Sequence, residues 1–142
     1  MKIKPVVMDH LYTAHTSFVV DFELNYNIMF ISGDSGVGKS AVFSFIEEAA
    51  VEDKRIKCFD YRSINDSYKS TVRNSKGKLF VIDNADILLD DNIRRYIAAD
   101  PNNQYIIIGR NPTGLLLQQE NIWCLESYKK EEKTVFTLKN MF

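Results

Sequence analysis

The sequence predicts an α/β domain built on a mainly parallel sheet, flanked by helices, with antiparallel strands added from the N- and C-termini. Three short runs are apolar at every position, as expected of strands buried on both faces, and they alternate with segments of helical periodicity. A further segment near the N-terminus is apolar at every second position, which indicates a strand with one face in water. Strands that alternate with helices favour a parallel sheet.

Composition favours one soluble globular domain. The chain has 142 residues, close to the size of a single compact core, so we expect one domain over residues 1–142. The 18 Lys and Arg residues nearly balance 19 Asp and Glu residues, so the chain has no overall positive field that would hold a polyanion. We therefore expect contact with nucleic acid only indirectly, through assembly. Without a membrane-length apolar run, and with Cys58 and Cys124 far apart, a cytoplasmic location without membrane contact is expected.

Two strands are predicted in the N-terminal part of the chain. Apolar and polar side chains alternate over residues 18–25, the pattern of a strand with one face in water. A turn at residues 25–27 leads into residues 28–31, which are all apolar and predict a buried strand.

Two helices with a weaker strand between them are predicted next. Apolar residues recur at helical spacing over residues 39–51, which predicts a helix. Residues 56–61 predict the weaker strand. Apolar residues four apart over 64–72 predict the second helix, for which Ser63 and Asp66 form a capping box.

The alternation continues in the second half of the chain. The apolar runs 79–82 and 105–108 predict buried strands, and residues 91–99 predict a helix between them. After Pro112, Thr113 is a cap for a short helix predicted through Gln119. A polar tip between two further strands predicts a C-terminal hairpin, with its strands at 122–125 and 134–138.

One segment carries a complete phosphate-binding pattern. Its glycines allow backbone N–H groups to turn toward phosphate oxygens, and the helix that follows presents unpaired amides and the positive end of its dipole. Lys39 is expected to reach the β- and γ-phosphates, and Ser40 to place its hydroxyl on Mg²⁺. The alternative is a glycine-rich turn without a ligand. The eight residues fit G-x-x-x-x-G-K-[ST] at every fixed position: Gly33, Asp34, Ser35, Gly36, Val37, Gly38, Lys39 and Ser40.

An acidic residue ends the next fully apolar strand. Asp83 follows residues 79–82, where its carboxylate is expected to hold the same Mg²⁺ through a water molecule. The alternative is an aspartate that only caps the end of the strand. The phosphate-binding pattern upstream favours the metal-binding interpretation.

From about Ile28 to Pro112 the chain resembles the P-loop NTPases, and more narrowly the branch that includes the AAA-type, RecA-like and ABC ATPases. This resemblance implies a P-loop NTPase sheet and ATP as the nucleotide. Asn111, after the strand that follows Asp83, resembles the AAA-type sensor of the γ-phosphate. An Asn before a proline is also a turn signal, so both interpretations of Asn111 stand.

The chain departs from the family pattern at the catalytic position. The family usually continues the acidic strand with a glutamate that polarises the attacking water, whereas here Asn84 follows Asp83. Asn84 can orient a water but cannot accept its proton, so either Asp86 substitutes or turnover is slow. The switch and base-reading motifs of GTPases are absent, and so is the helical lid of AAA-type ATPases.

Three arginines follow the acidic strand. Arg110, beside the sensor position, is the candidate for neutralising charge in the transition state. Arg94 and Arg95 lie on the helix predicted over 91–99 and are better explained as a solvated basic face. In an oligomer either could complete the site of a neighbour.

We therefore expect the chain to be an ATP-binding protein with ATP and Mg²⁺ as cofactors. It would hydrolyse ATP to switch or drive a protein partner or its own assembly. The alternative is a nucleotide-binding regulatory or assembly module without hydrolysis, which Asn84 and the missing lid favour. A small nucleotide or metabolite kinase fits the length of the chain, but it would need a second substrate pocket and an arginine-rich lid.

Overall fold

The structure, a computed structural model, describes residues 4–32, 38–65 and 67–142. These ranges contain eight strands and four helices. The strands are β1 (His10–Ala14), β2 (Phe18–Glu23), β3 (Ile28–Ser32), β4 (Ile56–Phe59), β5 (Leu79–Ile82), β6 (Gln104–Ile108), β7 (Ile122–Lys130) and β8 (Lys133–Asn140). The helices are α1 (Lys39–Glu52), α2 (Tyr68–Asn74), α3 (Ala85–Leu88) and α4 (Asp91–Ala99), and two single 3₁₀ turns lie at Tyr61–Ser63 and Gln119–Asn121.

All eight strands belong to one mixed sheet, ordered β1–β2–β8–β7–β3–β6–β5–β4. The pairs β1–β2 and β7–β8 are antiparallel hairpins. The pairs β2–β8, β7–β3, β3–β6, β6–β5 and β5–β4 are parallel. The C-terminal hairpin therefore lies between β2 and β3, which are neighbours in the sequence.

The predicted fold class, a mainly parallel P-loop NTPase sheet flanked by helices with antiparallel strands added from the termini, is wrong. The structure is a mixed α/β fold whose eight-stranded sheet curls into a half-barrel. Four of the eight strands come from the two terminal hairpins. Three of these, β2, β8 and β7, lie in the interior of the sheet and not at its edge. The four helices of the described residues include α3, which has only four residues.

The segment after Pro112 also differs from the prediction. The helix predicted over residues 113–119 is wrong, because Gly114 (φ 85°) and Leu116 (φ 56°) both have left-handed backbone, which a right-handed helix does not tolerate. The segment ends instead in the 3₁₀ turn at Gln119–Asn121.

The helix predicted over residues 64–72 begins later than expected, at Tyr68. Of its predicted capping box, Asp66 lies outside the described residues. Ser63 instead ends the 3₁₀ turn that Asp60 caps, where the Asp60 carboxylate accepts the backbone N–H of Arg62 at 3.0 Å.

Side chains of the sheet form two apolar clusters, and strand alternation separates them. One contains Val42, Phe43 and Ile46 of α1 with Ile31 and Ile106 of the sheet. The other contains residues of α2, α3 and α4 with alternate strand residues, among them Tyr68, Val72, Ala85, Leu88, Ile93, Ile97, Phe30 and Phe80. None of the helices in the described ranges combines the length and the apolar composition needed to cross a membrane.

Candidate functional site

A cleft of about 460 Å³ lies where β3, β6 and β5 end and α1 begins. These three strands are parallel neighbours, so the residues that follow them meet at one edge of the sheet, the usual place for a ligand in such sheets. The cleft is lined by Gly38, Lys39, Ser40, Ala41, Asp83, Asn84, Asp86, Ile108, Gly109 and Arg110.

The cleft brings together most of the residues that the sequence singled out. Predicted residues from three separate segments line it, and of those described only Asn111 is not among the lining residues. Sequence reasoning missed Ala41, Ile108 and Gly109, which carry no polar side chain to draw attention. The first part of the predicted phosphate loop lies outside the described residues: Gly33, Asp34, Ser35, Gly36 and Val37.

The start of α1 is shaped by Gly38. Its φ of 94° is in the left-handed region that favours glycine, and a Cβ added there would lie 2.8 Å from Phe136 Cε1. Gly38 is the N-cap of α1, and no described side chain donates or accepts a capping hydrogen bond there. The first turn of α1 also has no acidic residue, so nothing in it offsets the positive end of the helix dipole, which favours an anion in the cleft.

Asp83 follows β5 and carries a half-buried carboxylate. Its backbone N–H donates to the Phe59 carbonyl at 2.9 Å, and its Oδ1 accepts the Asn84 backbone N–H at 2.8 Å. Burial raises the pKa of Asp83 above its ordinary value and the nearby Asp60 adds to this, while the Asn84 N–H and the Lys39 ammonium act in the opposite direction. The protein therefore disfavours the charged form on balance, and a cation in the cleft would stabilise it.

The donor set fits Mg²⁺. A hydroxyl from Ser40 and a carboxylate from Asp83 line the same cleft, and oxygen ligands of this kind are the ones Mg²⁺ prefers. The described residues contain no group of three or more His, Cys, Asp and Glu side chains that could hold a metal ion by themselves. A metal in the cleft would therefore complete its shell with phosphate or water oxygens.

Asn84 has an unusual backbone. Its φ of 53° and ψ of 42° are left-handed, and Asn tolerates this conformation better than other residues with a Cβ. Its side-chain oxygen accepts the Tyr61 backbone N–H at 3.4 Å, which joins the turn after β4 to the start of α3. A glutamate at this position would cost about 1–2 kcal/mol of backbone strain.

Asp86 fastens the segment after β6. Its Oδ2 accepts the backbone N–H of Arg110 and its Oδ1 accepts the backbone N–H of Asn111, both at 2.9 Å. A Cβ on Gly109 would lie 3.2 Å from Asp86 Oδ1, so a larger residue there would require Asp86 to shift by a few tenths of an ångström. Both carboxylate oxygens of Asp86 are engaged with the backbone, which leaves it poorly suited to accept a proton from water.

Arg94 is buried, and its interpretation as part of a solvated basic face is wrong. It is 6% exposed, and its guanidinium lies 3.9 Å from Asp86 Oδ1. The signal was present in the sequence, because Arg94 precedes the buried Ile97 and Ala98 by three and four residues, the spacing of one helix face. The guanidinium donates to four backbone carbonyls, those of Ala85, Leu89, Asn111 and Thr113.

The remaining predicted residues occupy different positions around the cleft. Arg110 is exposed and lines it, while Arg95 is exposed on α4 and donates to Asn92. The side-chain oxygen of Asn111 accepts the Thr113 backbone N–H at 3.0 Å, as expected of an Asn in a turn.

Comparisons of the chain with protein-family models, with curated proteins and with solved structures found no match.

Proposed function

We propose that the chain binds ATP together with Mg²⁺ in this cleft, through a phosphate-binding site of the P-loop type, and acts as a switch or motor subunit for a protein partner or another copy of itself. One observation carries the proposal. Gly38, Lys39 and Ser40, the described end of the complete phosphate-binding pattern, line one cleft together with Asp83, which follows a different strand. The likeness to P-loop NTPases is proposed for the site and not for the sheet.

Each lining residue has a role in this proposal. Lys39 and the amides at the start of α1 bind the phosphate oxygens, and Arg110 neutralises charge that develops on the γ-phosphate. Ser40 and Asp83 would hold Mg²⁺, which supplies charge neutralisation at the phosphates.

Hydrolysis is proposed to be slow. Among the described residues, the carboxylates that line the cleft are those of Asp83 and Asp86. The first is assigned to the metal, and both oxygens of the second accept backbone N–H groups. Asn84 can orient a water but cannot take its proton, so no residue described in the cleft is well placed as a general base.

The same contacts favour a second candidate function, a regulatory or assembly module that binds nucleotide without hydrolysing it. The two candidates share the binding site and differ only in whether phosphate is released. Because Cys58 and Cys124 are both free thiols, a reducing compartment such as the cytoplasm fits either candidate.

Nucleotide titration by thermal shift tests the binding site. ATP with Mg²⁺ at about 100 times its dissociation constant should add about 2.7 kcal/mol to the stability of the wild type, because the ligand binds only the folded state. Lys39→Ala should lose this shift. Lys76→Ala is the matched control, since Lys76 is exposed and precedes β5, at the opposite edge of the sheet from the cleft.

Phosphate release on the same samples separates the two candidates. Slow release that depends on Mg²⁺ and is lost in Lys39→Ala supports the ATPase, and binding without release supports the regulatory module. If millimolar ATP leaves the melting temperature of the wild type unchanged, the proposal of a nucleotide site fails.

A further inference from the structure

Two side chains of the C-terminal hairpin pack against the end of the phosphate-binding pattern. A Cβ added at Gly38 would lie 2.8 Å from Cε1 and 3.4 Å from Cζ of Phe136, and 3.7 Å from Cδ2 of Leu125. These are the atoms nearest to that position, so the ring of Phe136 occupies the side of Gly38 on which other residues carry a Cβ. Phe136 lies on β8 and Leu125 on β7, far along the chain from the glycine that they contact.

The ring of Phe136 is itself held in place. It is 6% exposed and belongs to the apolar cluster that α1 closes. In the sheet, Phe136 is paired with residues of both β2 and β7. The ring of Phe18 is stacked on it, with centroids 6.1 Å apart, and the ring of Phe45 on α1 lies 6.5 Å away. A ring packed in this way cannot yield at low cost to an atom added at Gly38.

Gly38 is the residue at which this packing reaches the ATP site. It is the N-cap of α1, and together with Lys39 and Ser40 it lines the cleft. Its φ of 94° and ψ of 8° determine how the chain enters α1, and therefore where the first amides of the helix lie. Because the strength of a hydrogen bond depends steeply on its geometry, a displaced Gly38 would weaken the grip of these amides on the phosphates.

We propose that Phe136 is a positioning residue of the ATP site, whose ring holds Gly38 in the backbone conformation that binds the phosphates. This inference rests on the proposed function and adds the part of the fold that sets the affinity for ATP. The phosphate-binding pattern lies in residues 33–40, whereas its support comes from residues 122–140. The alternative is that Phe136 only fills the apolar cluster, and the two roles differ in what loss of the ring does to ATP binding.

Titration calorimetry of the full chain with ATP and Mg²⁺ tests this role. Phe136→Leu removes the ring atoms that face Gly38 and keeps an apolar side chain, so the dissociation constant for ATP should rise at least ~5-fold. Each variant is titrated at a temperature where circular dichroism shows that it is folded.

Phe22→Leu is the matched control. Phe22 lies on β2, is fully buried in the same apolar cluster, and is not among the residues nearest to the Cβ position of Gly38. The control variant should lose stability in urea, as a truncated core residue does. It should nevertheless keep the dissociation constant for ATP within ~2-fold of the wild-type value, because it does not alter the contact with Gly38.

A double-mutant cycle tests the contact itself. Gly38→Ala adds the Cβ that would lie 2.8 Å from the ring, and the strain from its positive φ is common to every background. In Phe136→Leu the obstructing ring atom is gone, so Gly38→Ala should weaken ATP binding at least ~3-fold less there than in the wild type. In Phe22→Leu it should weaken binding as it does in the wild type. If Gly38→Ala binds too weakly to titrate, the same cycle is measured in the free energy of unfolding.

Two results would overturn the proposal. One is a dissociation constant for ATP that agrees within ~2-fold between Phe136→Leu and Phe22→Leu, which would make Phe136 a core residue only. The other is an additive cycle, in which Gly38→Ala has the same effect with and without the ring. In both cases the wild type still binds ATP, so the nucleotide site stands. If the wild type does not bind ATP, the nucleotide site is refuted and its positioning residue with it.

Discussion

At the scale of single residues, the cleft is determined by backbone conformation as much as by side-chain chemistry. Gly38 and Asn84 both have positive φ, at 94° and 53°, and each begins the helix that contributes to the cleft. Asn84 holds a left-handed position that a glutamate could occupy only with strain, so the local backbone favours an asparagine there. Asp83, between β5 and this left-handed residue, is left as the carboxylate available to a cation.

The raised pKa of Asp83 has a consequence for stability. Because burial makes the carboxyl a weaker acid in the folded state than in the unfolded chain, the free energy of unfolding falls as pH rises above the ordinary value of 3.8 and through the folded pKa. Asp83→Asn should therefore increase the free energy of unfolding at pH 7.5, and the increase should shrink as the pH is lowered toward 3.8.

Urea unfolding of wild type and Asp83→Asn between pH 4.5 and 7.5 measures this difference, with the exposed Glu132→Gln as control. The same variant should lose the Mg²⁺-dependent part of ATP binding. A variant that is less stable than the wild type at pH 7.5, with the deficit growing as pH rises, would contradict the expectation.

At the scale of elements, one buried arginine connects three segments that are not strands of the sheet. Arg94 on α4 binds the carbonyl of Ala85 on α3 and the carbonyls of Asn111 and Thr113 after β6. It also lies beside Asp86, which holds the backbone of the same segment. Arg94 therefore helps to hold α3 and the segment after β6 in place, and both contribute residues to the cleft.

Arg94→Met should destabilise the fold by about 3–5 kcal/mol, because it leaves buried carbonyls and the Asp86 charge without their partner while keeping most of the side-chain volume. Arg94→Lys should destabilise the fold by less than Arg94→Met does, because the lysine keeps the positive charge although its single ammonium cannot reach all four carbonyls. Arg95→Met, the adjacent exposed residue, should change stability by no more than ~0.5 kcal/mol. Equal effects of the Arg94 and Arg95 substitutions in urea unfolding would show that the buried network contributes nothing.

At the scale of the whole molecule, the C-terminal hairpin connects the two halves of the sheet. β8 pairs with β2 and β7 pairs with β3, so removing the hairpin would separate the N-terminal hairpin from the rest of the sheet. Phe136 of β8 belongs to the cluster that α1 closes, and its ring meets Gly38. The hairpin thus supports both the core and the start of the helix at the cleft.

Truncation after Asn121 should abolish cooperative unfolding, because it removes two interior strands and leaves β2 and β3 each with one unpaired edge. Circular dichroism during a thermal melt measures this directly. Truncation after Asn140 is the control, since Met141 and Phe142 are exposed, and it should melt close to the full chain. A cooperative transition in the shorter chain would refute the role given to the hairpin.

The elements of the fold were easier to predict from the sequence than their arrangement. Fully apolar runs at residues 28–31, 79–82 and 105–108 identified three central strands, because burial on both faces leaves a local pattern. The phosphate-binding pattern and Asp83 likewise led to residues that share a cleft. The insertion of the hairpin and the burial of Arg94 depend on contacts between distant segments, which local periodicity does not encode.

The order of the strands also bears on how the chain can fold as it is made. Residues 122–140 supply the strands that lie between those of residues 18–23 and 28–32, so the early segments leave the ribosome long before their partners exist. Until then β2 and β3 each keep an open edge on which a neighbouring chain can add. Closing the sheet needs contacts separated by about ninety or more residues, which slows folding and prolongs that exposure. We therefore expect that the sheet closes only after residues 122–140 have left the ribosome and that chaperones which shield open strands raise the yield of this chain.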